Sequence, residues 1–261
     1  MSTKRPKVAV VGSFMMDLVV KAERRPKVGE TLVGEEFGMF LGGKGTNQAI
    51  AAARLGAEVH MIGRLGQDQF GDIIIESLQK DNIHTDFIVK DAEVGTGIAT
   101  PVIDADGNNS IIIVPRANMR LTVANVEKAA SAIAEADVLL LQLEVPIEPS
   151  KRAAEIAGEN STVVILNPAP ACQIPNEFLK FVDYLTPNEI ETEMLTGVKV
   201  SDQSGAEQAA RVLLDKGMSA VVLTLGSRGT LLLTENTTVS VPAHKVNVVD
   251  TTAAGDAFCG G

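Results

Sequence analysis

Close to its last residue the chain reads Val248-Val249-Asp250-Thr251-Thr252-Ala253-Ala254-Gly255-Asp256-Ala257-Phe258. This segment predicts an apolar strand that runs into small residues, and then a helix that begins near Gly255. Small residues leave backbone N–H groups uncovered, and the start of a helix directs positive charge to the same place. Asp256 is placed to take a proton there from an attacking hydroxyl. The segment therefore predicts an anion cradle with a base beside it, which suits phosphoryl transfer to an alcohol.

Outward from this segment, strand and helix patterns alternate along most of the chain. Strands are predicted at residues 7–14, 57–62, 138–143, 162–166, 184–186, 220–225 and 230–233. Helices are predicted at residues 44–55, 69–80, 123–136, 149–157, 187–195 and 206–216. This alternation predicts an α/β fold, a three-layer α/β/α sandwich with a mostly parallel central sheet.

Two segments interrupt the alternation. Residues 17–41 are extended and β-prone around a turn at 25–30, and residues 96–114 have the pattern of a hairpin around 104–109. Neither segment can bury a core alone, so we expect them to pair with each other as a small β lid. The core domain is then predicted to comprise residues 1–16, 42–95 and 115–261.

Composition restricts the function classes. The 261 residues carry a net charge of −10, with one Tyr and no Trp, and no basic stripe is visible, which argues against a nucleic-acid surface. No apolar run reaches the roughly 18 residues of a membrane span. The two cysteines, Cys172 and Cys259, are far apart and predict free thiols in a cytoplasmic protein. The three histidines are scattered and do not have the ligand spacing of a zinc site.

A glycine-rich segment, Leu41-Gly42-Gly43-Lys44-Gly45-Thr46-Asn47-Gln48, precedes the first long helix. Residues 38–44 fit the P-loop spacing G-x-x-x-x-G-K, but Gly45 stands where that motif needs Ser or Thr to hold Mg²⁺. Two alternatives remain. The segment is either a tight helix start with a solvated Lys44, or a polyol site formed by exposed backbone, Lys44 and the Asn47 amide.

Two further segments predict local structure, namely a helix start and a hairpin turn. Thr186-Pro187-Asn188-Glu189 predicts a helix start with Thr186 as N-cap and Glu189 completing a capping box. Asn188 and Glu191 are three positions apart, so they share one face of that helix. The segment Thr224-Leu225-Gly226-Ser227-Arg228-Gly229 predicts a hairpin turn after an apolar strand.

The motifs at 42–47 and 252–256 together resemble the two signatures of the ribokinase (phosphofructokinase B-type) family of sugar kinases. Residues 12–17, 142–144, 167–171, 186–189 and 224–229 extend the resemblance over residues 7–261. Two positions depart from the usual family pattern, with Met15 in place of Asn and Arg116 in place of Gly. The family has an α/β core and a β lid that often mediates dimerisation, so the resemblance implies a homodimer through the lid.

The resemblance also implies a role for individual residues. Asp256 would deprotonate a sugar hydroxyl while the amides of residues 253–255 stabilise the transferring phosphoryl group. The sugar would be held by Asp17, Gly43, Lys44, Asn47, Glu144 and Asp256. The phosphates and the nucleotide would be contacted by Asn188, Thr224, Gly226 and Gly229. Glu191 would hold Mg²⁺ through water, and Asp250 and Thr252 would contribute to a site for a monovalent cation such as K⁺.

The function implied is ATP-dependent transfer of the γ-phosphoryl group to the primary 5-hydroxyl of D-ribose, giving ribose 5-phosphate. Family members continue past the helix near Gly255 into helices that complete the adenine pocket, so we expect the chain to Gly261 to lack them. Three alternatives stay open. These are a kinase for another pentose, hexose or nucleoside, an incomplete sugar- or nucleotide-binding protein without turnover, and an NAD oxidoreductase, which is weakened because residues 11–16 lack G-x-G-x-x-G.

Overall fold

The computed structural model describes residues 5–248 and 250–261, so Val249 of the opening segment lies outside the described residues. Its strands are β1 (Lys7–Val11), β2 (Met15–Lys21), β3 (Glu36–Gly42), β4 (Glu58–Gly66), β5 (His84–Asp91), β6 (Gly97–Ile103), β7 (Asn109–Val114), β8 (Val138–Leu141), β9 (Val163–Leu166), β10 (Tyr184–Leu185), β11 (Ala220–Thr224), β12 (Thr230–Thr234) and β13 (Thr238–Val241). Its α-helices are α1 (Lys44–Arg54), α2 (Gln69–Lys80), α3 (Val123–Glu127), α4 (Ala130–Ala134), α5 (Ile147–Glu159), α6 (Asn176–Leu179), α7 (Glu189–Thr196), α8 (Gln203–Leu214) and α9 (Ala254–Gly260).

The main sheet has nine strands in the order β13-β12-β11-β10-β9-β8-β1-β4-β5. All neighbours from β11 to β5 run parallel, whereas β12 and β13 add an antiparallel edge. Since parallel strands all end at one edge of a sheet, the loops that follow β1, β8, β9, β10 and β11 meet there.

Side chains that alternate along β1 separate two hydrophobic cores. Val8 and Val10 pack with α1 and α2 residues on one face, and Ala9 and Val11 pack with residues of α3, α4, α5 and α8 on the other. Successive side chains of a strand point to opposite faces, so both faces of this sheet must be covered by helices. The predicted three-layer sandwich is confirmed.

The two predicted lid segments do pair, as a four-stranded sheet in the order β3-β2-β6-β7. The joining contact is the parallel pair β2 and β6, flanked by antiparallel β3 and β7. The two strands of the first lid segment, β2 and β3, begin at Met15 and end at Gly42, slightly outside the predicted bounds 17–41. The division of the chain into domains stays a prediction.

Asn118 and Arg116 hold the segment after β7 against the residues that lead into β2 and β6. Asn118 is fully buried, and its amide exchanges two hydrogen bonds with the backbone of Phe14, at 2.9 Å to the N–H and 2.7 Å to the carbonyl. Arg116 has a left-handed backbone, with φ of 50°, in keeping with the glycine that the family usually has there. Its guanidinium donates to the Thr96 carbonyl at 3.1 Å, an interaction that offsets part of the backbone strain.

Three local predictions were wrong. The predicted helix 123–136 is interrupted between α3 and α4, where Ala129 N–H bonds to the Val126 carbonyl in a tighter turn. Thr186 does not cap α7, because its N–H still pairs with the Leu166 carbonyl of β9 and so keeps it in the sheet. Residues 242–248, which include the apolar start of the opening segment, form no strand.

Strands β5 and β13 and the short helix α6 were not predicted from the sequence. No helix within residues 5–248 and 250–261 combines the length with the apolar character that crossing a membrane requires. Both cysteines are free, as predicted, with Cys172 exposed and Cys259 buried.

We expect Asn118→Ala to destabilise the protein, because the substitution leaves the buried backbone groups of Phe14 without partners. The expected loss in the free energy of unfolding is about 1–3 kcal/mol, measured by urea denaturation. Asn108→Ala is the control, since Asn108 lies in the exposed lid turn and its side chain bonds only to Asp104 there. Equal losses for both variants would contradict the role assigned to Asn118.

Candidate active site

Three predicted site residues lie at the carboxyl ends of parallel strands, since Glu144 follows β8, Asn188 follows β10 and Thr224 ends β11. Ser13 follows β1 and Asn167 follows β9 at the same edge. In open α/β sheets this edge is where ligands bind, because the loops there converge.

The glycine-rich segment allows α1 to start in direct contact with the end of β1. Gly43 has φ of 90°, and a Cβ added at Gly45 would lie 2.5 Å from the Ser13 nitrogen, so neither position tolerates a side chain. The Thr46 N–H donates to the Ser13 carbonyl at 3.0 Å. Of the two alternatives that the sequence left open for this segment, the structure contains the tight helix start. This helix start also exposes Lys44 to the site.

The P-loop interpretation is excluded by topology. The strand before the segment, β3, belongs to the lid and not to the parallel sheet. The Lys44 N–H donates to the Glu144 carboxylate at 2.9 Å, where a P-loop would direct its N–H groups to phosphate.

Glu144 joins three elements. Its Oε2 accepts from the Lys44 N–H and also from the Ser13 hydroxyl, which links β1, α1 and the end of β8. Asp17 lies nearby on β2 with its carboxylate directly over Gly42, where an added Cβ would be 2.2 Å from Oδ1. Burial, and then the negative charge of Glu144, raises the pKa of the Asp17 carboxyl above its ordinary value.

Asp256 lies in the first turn of α9 and is only 7% exposed. Consecutive residues of α1 hold its two oxygens, since Asn47 Nδ2 donates to Oδ2 at 3.0 Å and Gln48 Nε2 donates to Oδ1 at 3.1 Å. The contact with Gln48 was missed by the sequence analysis. Its position next to Asn47 in the motif was the only available signal.

The loop before α9 has a strained turn. Ala253 has φ of 59°, a left-handed conformation that is uncommon for residues other than glycine and is often found at functional sites. The Ala254 N–H donates to the Thr251 carbonyl at 3.2 Å, so it would have to exchange this partner to bind an anion. Asp250 accepts from the Thr252 N–H at 2.8 Å and from its hydroxyl at 2.7 Å, and these bonds lower the pKa of Asp250.

Asn188 and Glu191 form the capping box of α7, which the sequence analysis had assigned to Thr186 and Glu189. The Asn188 side chain accepts from the Glu191 N–H at 2.8 Å, and Glu191 accepts from the Asn188 N–H at 2.9 Å. Glu191 is 8% exposed. Burial raises the pKa of Glu191; the Asn188 hydrogen bond and the charge of Lys44 oppose this, and the charge of Asp256 adds to it.

One pocket brings half of the predicted site residues together. Its wall contains Lys44, Asn188, Glu191, Thr224, Ala253, Ala254, Gly255 and Asp256, together with Asn167, Thr186, Thr251 and Cys259. Burial raises the pKa of the Cys259 thiol to about 11, which keeps it uncharged. The pocket therefore places a carboxylate pair, one ammonium group and the loop of small residues around a single space.

An adjoining pocket continues along the sheet edge. All four residues predicted to contact phosphates and nucleotide line it, namely Asn188, Thr224, Gly226 and Gly229. Thr224 N–H donates to the Pro187 carbonyl at 3.0 Å, and this bond holds the β11 loop against the start of α7. As predicted, the loop is a hairpin turn, with a 3₁₀ turn at Gly226–Arg228 between β11 and β12.

Asp17, Asp250 and Thr252 line a third pocket, beneath the lid. The structure thus brings the predicted cation residues Asp250 and Thr252 into the same cleft as Asp17, and not into the pocket that contains Lys44 and Asp256. Gly43, Asn47 and Glu144 are not among the residues that line these two pockets. Asn47 bonds to Asp256, and Glu144 bonds to Ser13 and to the Lys44 N–H.

Away from this edge, Glu58, His60 and His84 come together, with ligand atoms within 4.8 Å of one another. The expectation that the histidines are scattered was therefore wrong for His60 and His84. Their rings stack at 4.4 Å with planes only 12° apart, so their in-plane lone pairs do not converge on one ion. His60 Nδ1 is buried and has no hydrogen-bond partner in the described structure, whereas metal-ligating histidines normally donate through the second nitrogen. The cluster is not built as a metal centre.

Comparison with known proteins identifies the family of the chain. The model of the pfkB family of carbohydrate kinases matches residues 5–261. The chain belongs to this family. It is therefore a carbohydrate kinase.

Curated and solved relatives cover nearly the whole chain. Ribokinase of Staphylococcus aureus (strain COL) is 43% identical over 255 residues, which are 97% of this chain and 84% of the relative. Deoxyribokinase of Salmonella typhi is 39% identical over 254 residues, covering 97% and 83%. The structure of Arabidopsis thaliana ribokinase complexed with ribose and ATP superimposes with a TM-score of 0.91 at 34% identity, covering 98% of this chain and 84% of that one.

Proposed function

We propose that this kinase transfers the γ-phosphoryl group of ATP to the 5-hydroxyl of D-ribose, giving ribose 5-phosphate. The observation that carries the proposal is the buried Asp256 carboxylate, oriented by two amides in a pocket whose extension is lined by the predicted nucleotide residues. The similarity to ribokinases, including one solved with ribose and ATP, supports the choice of substrates.

Asp256 acts in this proposal as the base that takes the proton of the 5-hydroxyl while its oxygen attacks the γ-phosphorus. The bond to the leaving ADP breaks as the new O–P bond forms. The N–H groups of Ala253, Ala254 and Gly255 stabilise the charge on the transferring group. These three residues line the same pocket as Asp256, and the Ala254 N–H would first have to leave the Thr251 carbonyl.

The sugar is proposed to bind between the lid and α1. Asp17 and Glu144 offer acceptors to its hydroxyls, while Lys44 and Asn47 offer donors, and the backbone of Gly43 lies close enough for direct contact. Each hydroxyl of a polyol is both a donor and an acceptor, so a site that excludes water needs both kinds of partner.

Phosphates and nucleotide are proposed to lie against Asn188, Thr224, Gly226 and Gly229. The donor set fits Mg²⁺, because the Glu191 carboxylate borders the same pocket as the loop of small residues, and hard cations prefer oxygen ligands. When bound through water to Glu191, Mg²⁺ would neutralise charge on the phosphates. We propose a K⁺ site at Asp250 and Thr252 on the family resemblance. The structure supplies there one exposed carboxylate, whose Oδ1 already accepts from Thr252.

We also propose that the reaction takes place in the cytoplasm, where its phosphoryl donor ATP is made available. The two free thiols are consistent with a reducing compartment.

The first experiment is an assay of D-ribose-dependent ADP release with ATP, Mg²⁺ and K⁺. We expect Asp256→Asn to lower kcat by roughly a thousandfold or more while leaving the Kd for ribose within about threefold, because an amide of the same shape cannot accept the proton. Parallel reactions omit the sugar, replace ribose by 2-deoxyribose, add a chelator, or replace K⁺ by choline. Wild-type turnover in Asp256→Asn would refute the base, and equal or faster turnover of 2-deoxyribose would reassign the sugar.

The raised pKa of Asp17 predicts how sugar binding depends on pH. The ionised carboxylate is the stronger acceptor for the sugar hydroxyls, so affinity should fall as the pH falls through the raised pKa of Asp17. Calorimetric titration with ribose at a series of pH values measures this dependence. The Asp17→Asn variant should bind ribose more weakly at neutral pH, and its affinity for ribose should lack this part of the pH dependence. A pH profile identical in both proteins would count against the assignment.

We propose that the lid mediates a homodimer. Both edge strands of the lid expose large apolar side chains, among them Phe37 at 66% and Ile112 at 70% exposure, and patches of this kind usually bind another protein surface. We expect sedimentation to show twice the chain mass and Ile112→Lys to shift the protein to monomers. Leu55→Lys is the control, since Leu55 is 72% exposed at the end of α1, away from the lid. A monomeric wild type, or a dimer that Ile112→Lys leaves intact, would overturn the proposal.

A further inference from the structure

Two buried amide side chains connect the central sheet to Asp256. Gln142, directly after β8, is fully buried, and Gln48 on α1 is 1% exposed. Gln142 Nε2 donates to Gln48 Oε1 at 2.7 Å, and Gln48 Nε2 donates to Asp256 Oδ1 at 3.1 Å. The three side chains form a one-way series of donors that ends on the carboxylate.

The series fixes the orientation of the Gln48 amide. Rotating that amide by half a turn would place its oxygen against the Asp256 carboxylate and its NH₂ against the NH₂ of Gln142. Both new contacts would be repulsive, because they pair acceptor with acceptor and donor with donor. Gln48 Nε2 also lies 3.5 Å from Asn167 Oδ1, a second acceptor on the same side. Gln142 therefore acts together with the acceptors Asp256 and Asn167 to set which end of Gln48 faces Asp256.

The burial of Gln142 is unfavourable for the stability of the folded protein. Its Oε1 is buried without a hydrogen-bond partner in the described structure, whereas nearly all buried polar atoms have one. The space for this oxygen exists because residue 12 is glycine, where an added Cβ would lie 2.1 Å from it. An apolar side chain would avoid the unpaired oxygen but could not orient Gln48. Gln142 thus lowers the stability of the folded protein, and the favourable contact that the structure shows for its side chain is the hydrogen bond to Gln48.

We propose that Gln48, oriented by Gln142, is a positioning residue that fixes the Asp256 carboxylate for proton transfer. The proposal rests on the proposed role of Asp256 as the base. A bond to Oδ1 limits rotation of the carboxylate about Cβ–Cγ, so Oδ2 keeps one direction. Asn47, which donates to Oδ2, borders the proposed sugar site and can exchange partners with the substrate, whereas the fully enclosed Gln48 cannot.

The test compares Gln48→Met, Gln142→Met and the double variant by steady-state kinetics and by direct measurement of the sugar Kd. Methionine keeps the length and volume of glutamine but donates no hydrogen bond. We expect Gln48→Met to lower kcat by roughly 10- to 100-fold, because small displacements of a reacting group cost about this much, with the sugar Kd within about threefold of wild type. Gln142→Met should lower kcat by a smaller factor. The double variant should be no slower than Gln48→Met, since Gln142 acts only through Gln48.

Two controls separate this role from a loss of stability. Thr162→Val removes buried hydrogen bonds to the Ile133 and Ala136 carbonyls at the opposite end of β9, so it should lower the Tm and leave kcat unchanged. Asp256→Asn is measured in the same assay. If Asp256→Asn retains the wild-type rate, the proposed function fails, whatever the glutamine variants do.

Three results would overturn the positioning role while Asp256→Asn remains inactive. One is a wild-type kcat in either single glutamine variant. Another is a double variant whose losses in kcat multiply, as independent residues would give. The third is a loss confined to sugar affinity. If Gln48→Met does not fold, Gln142→Met alone decides the matter, because it does not contact Asp256 and still must lower kcat.

Discussion

The close packing of α1 against the end of β1 determines where the other groups of the site lie. Glycines at 43 and 45 remove the side chains that would hold the two elements apart. The Glu144 carboxylate then spans the contact through Ser13 and the Lys44 N–H, so that the end of a third element, β8, is fixed to the same point. Lys44, Asn47 and Gln48 take their positions from this junction, and Asp256 takes its position from Asn47 and Gln48.

The negative charge of the site repels ATP, the proposed phosphoryl donor. Asp17, Glu144, Glu191 and Asp256 are carboxyl groups in a protein of net charge −10, and Lys44 is the cation that borders the main pocket in the described structure. A polyphosphate entering this field is repelled unless cations and backbone dipoles compensate. Burial and the charge of Asp256 also raise the pKa of Glu191, so a bound cation would stabilise the ionised form that burial disfavours.

The sequence predicted the features that depend on local chemistry. Alternating patterns identified the parallel sheet, and the two glycine-containing motifs identified the segments that meet at its edge. Features that depend on tertiary competition were not predictable in the same way. Thr186 and Asn188 both have a glutamate three positions later, and only the pairing of Thr186 with Leu166 decides which one caps α7. Gln48 gave no separate signal, because its partners Gln142 and Asp256 lie 94 and 208 positions away. The edge strand β5 was missed because its charged residues interrupt the apolar alternation.

The contact between α1 and α9 is formed by very small residues. A Cβ added at Gly260 would lie 2.6 Å from the Gln48 carbonyl and 2.7 Å from the Ala51 side chain, so the two helices touch almost backbone to backbone. Both helices belong to the core, and neither contains lid residues. The Asp256 carboxylate and its two amide partners therefore lie on one closely packed pair of helices, and their relative positions do not depend on a lid strand. In the proposed mechanism, this packing holds the carboxylate that would accept the proton, so little of the binding energy of the sugar would be used to position it.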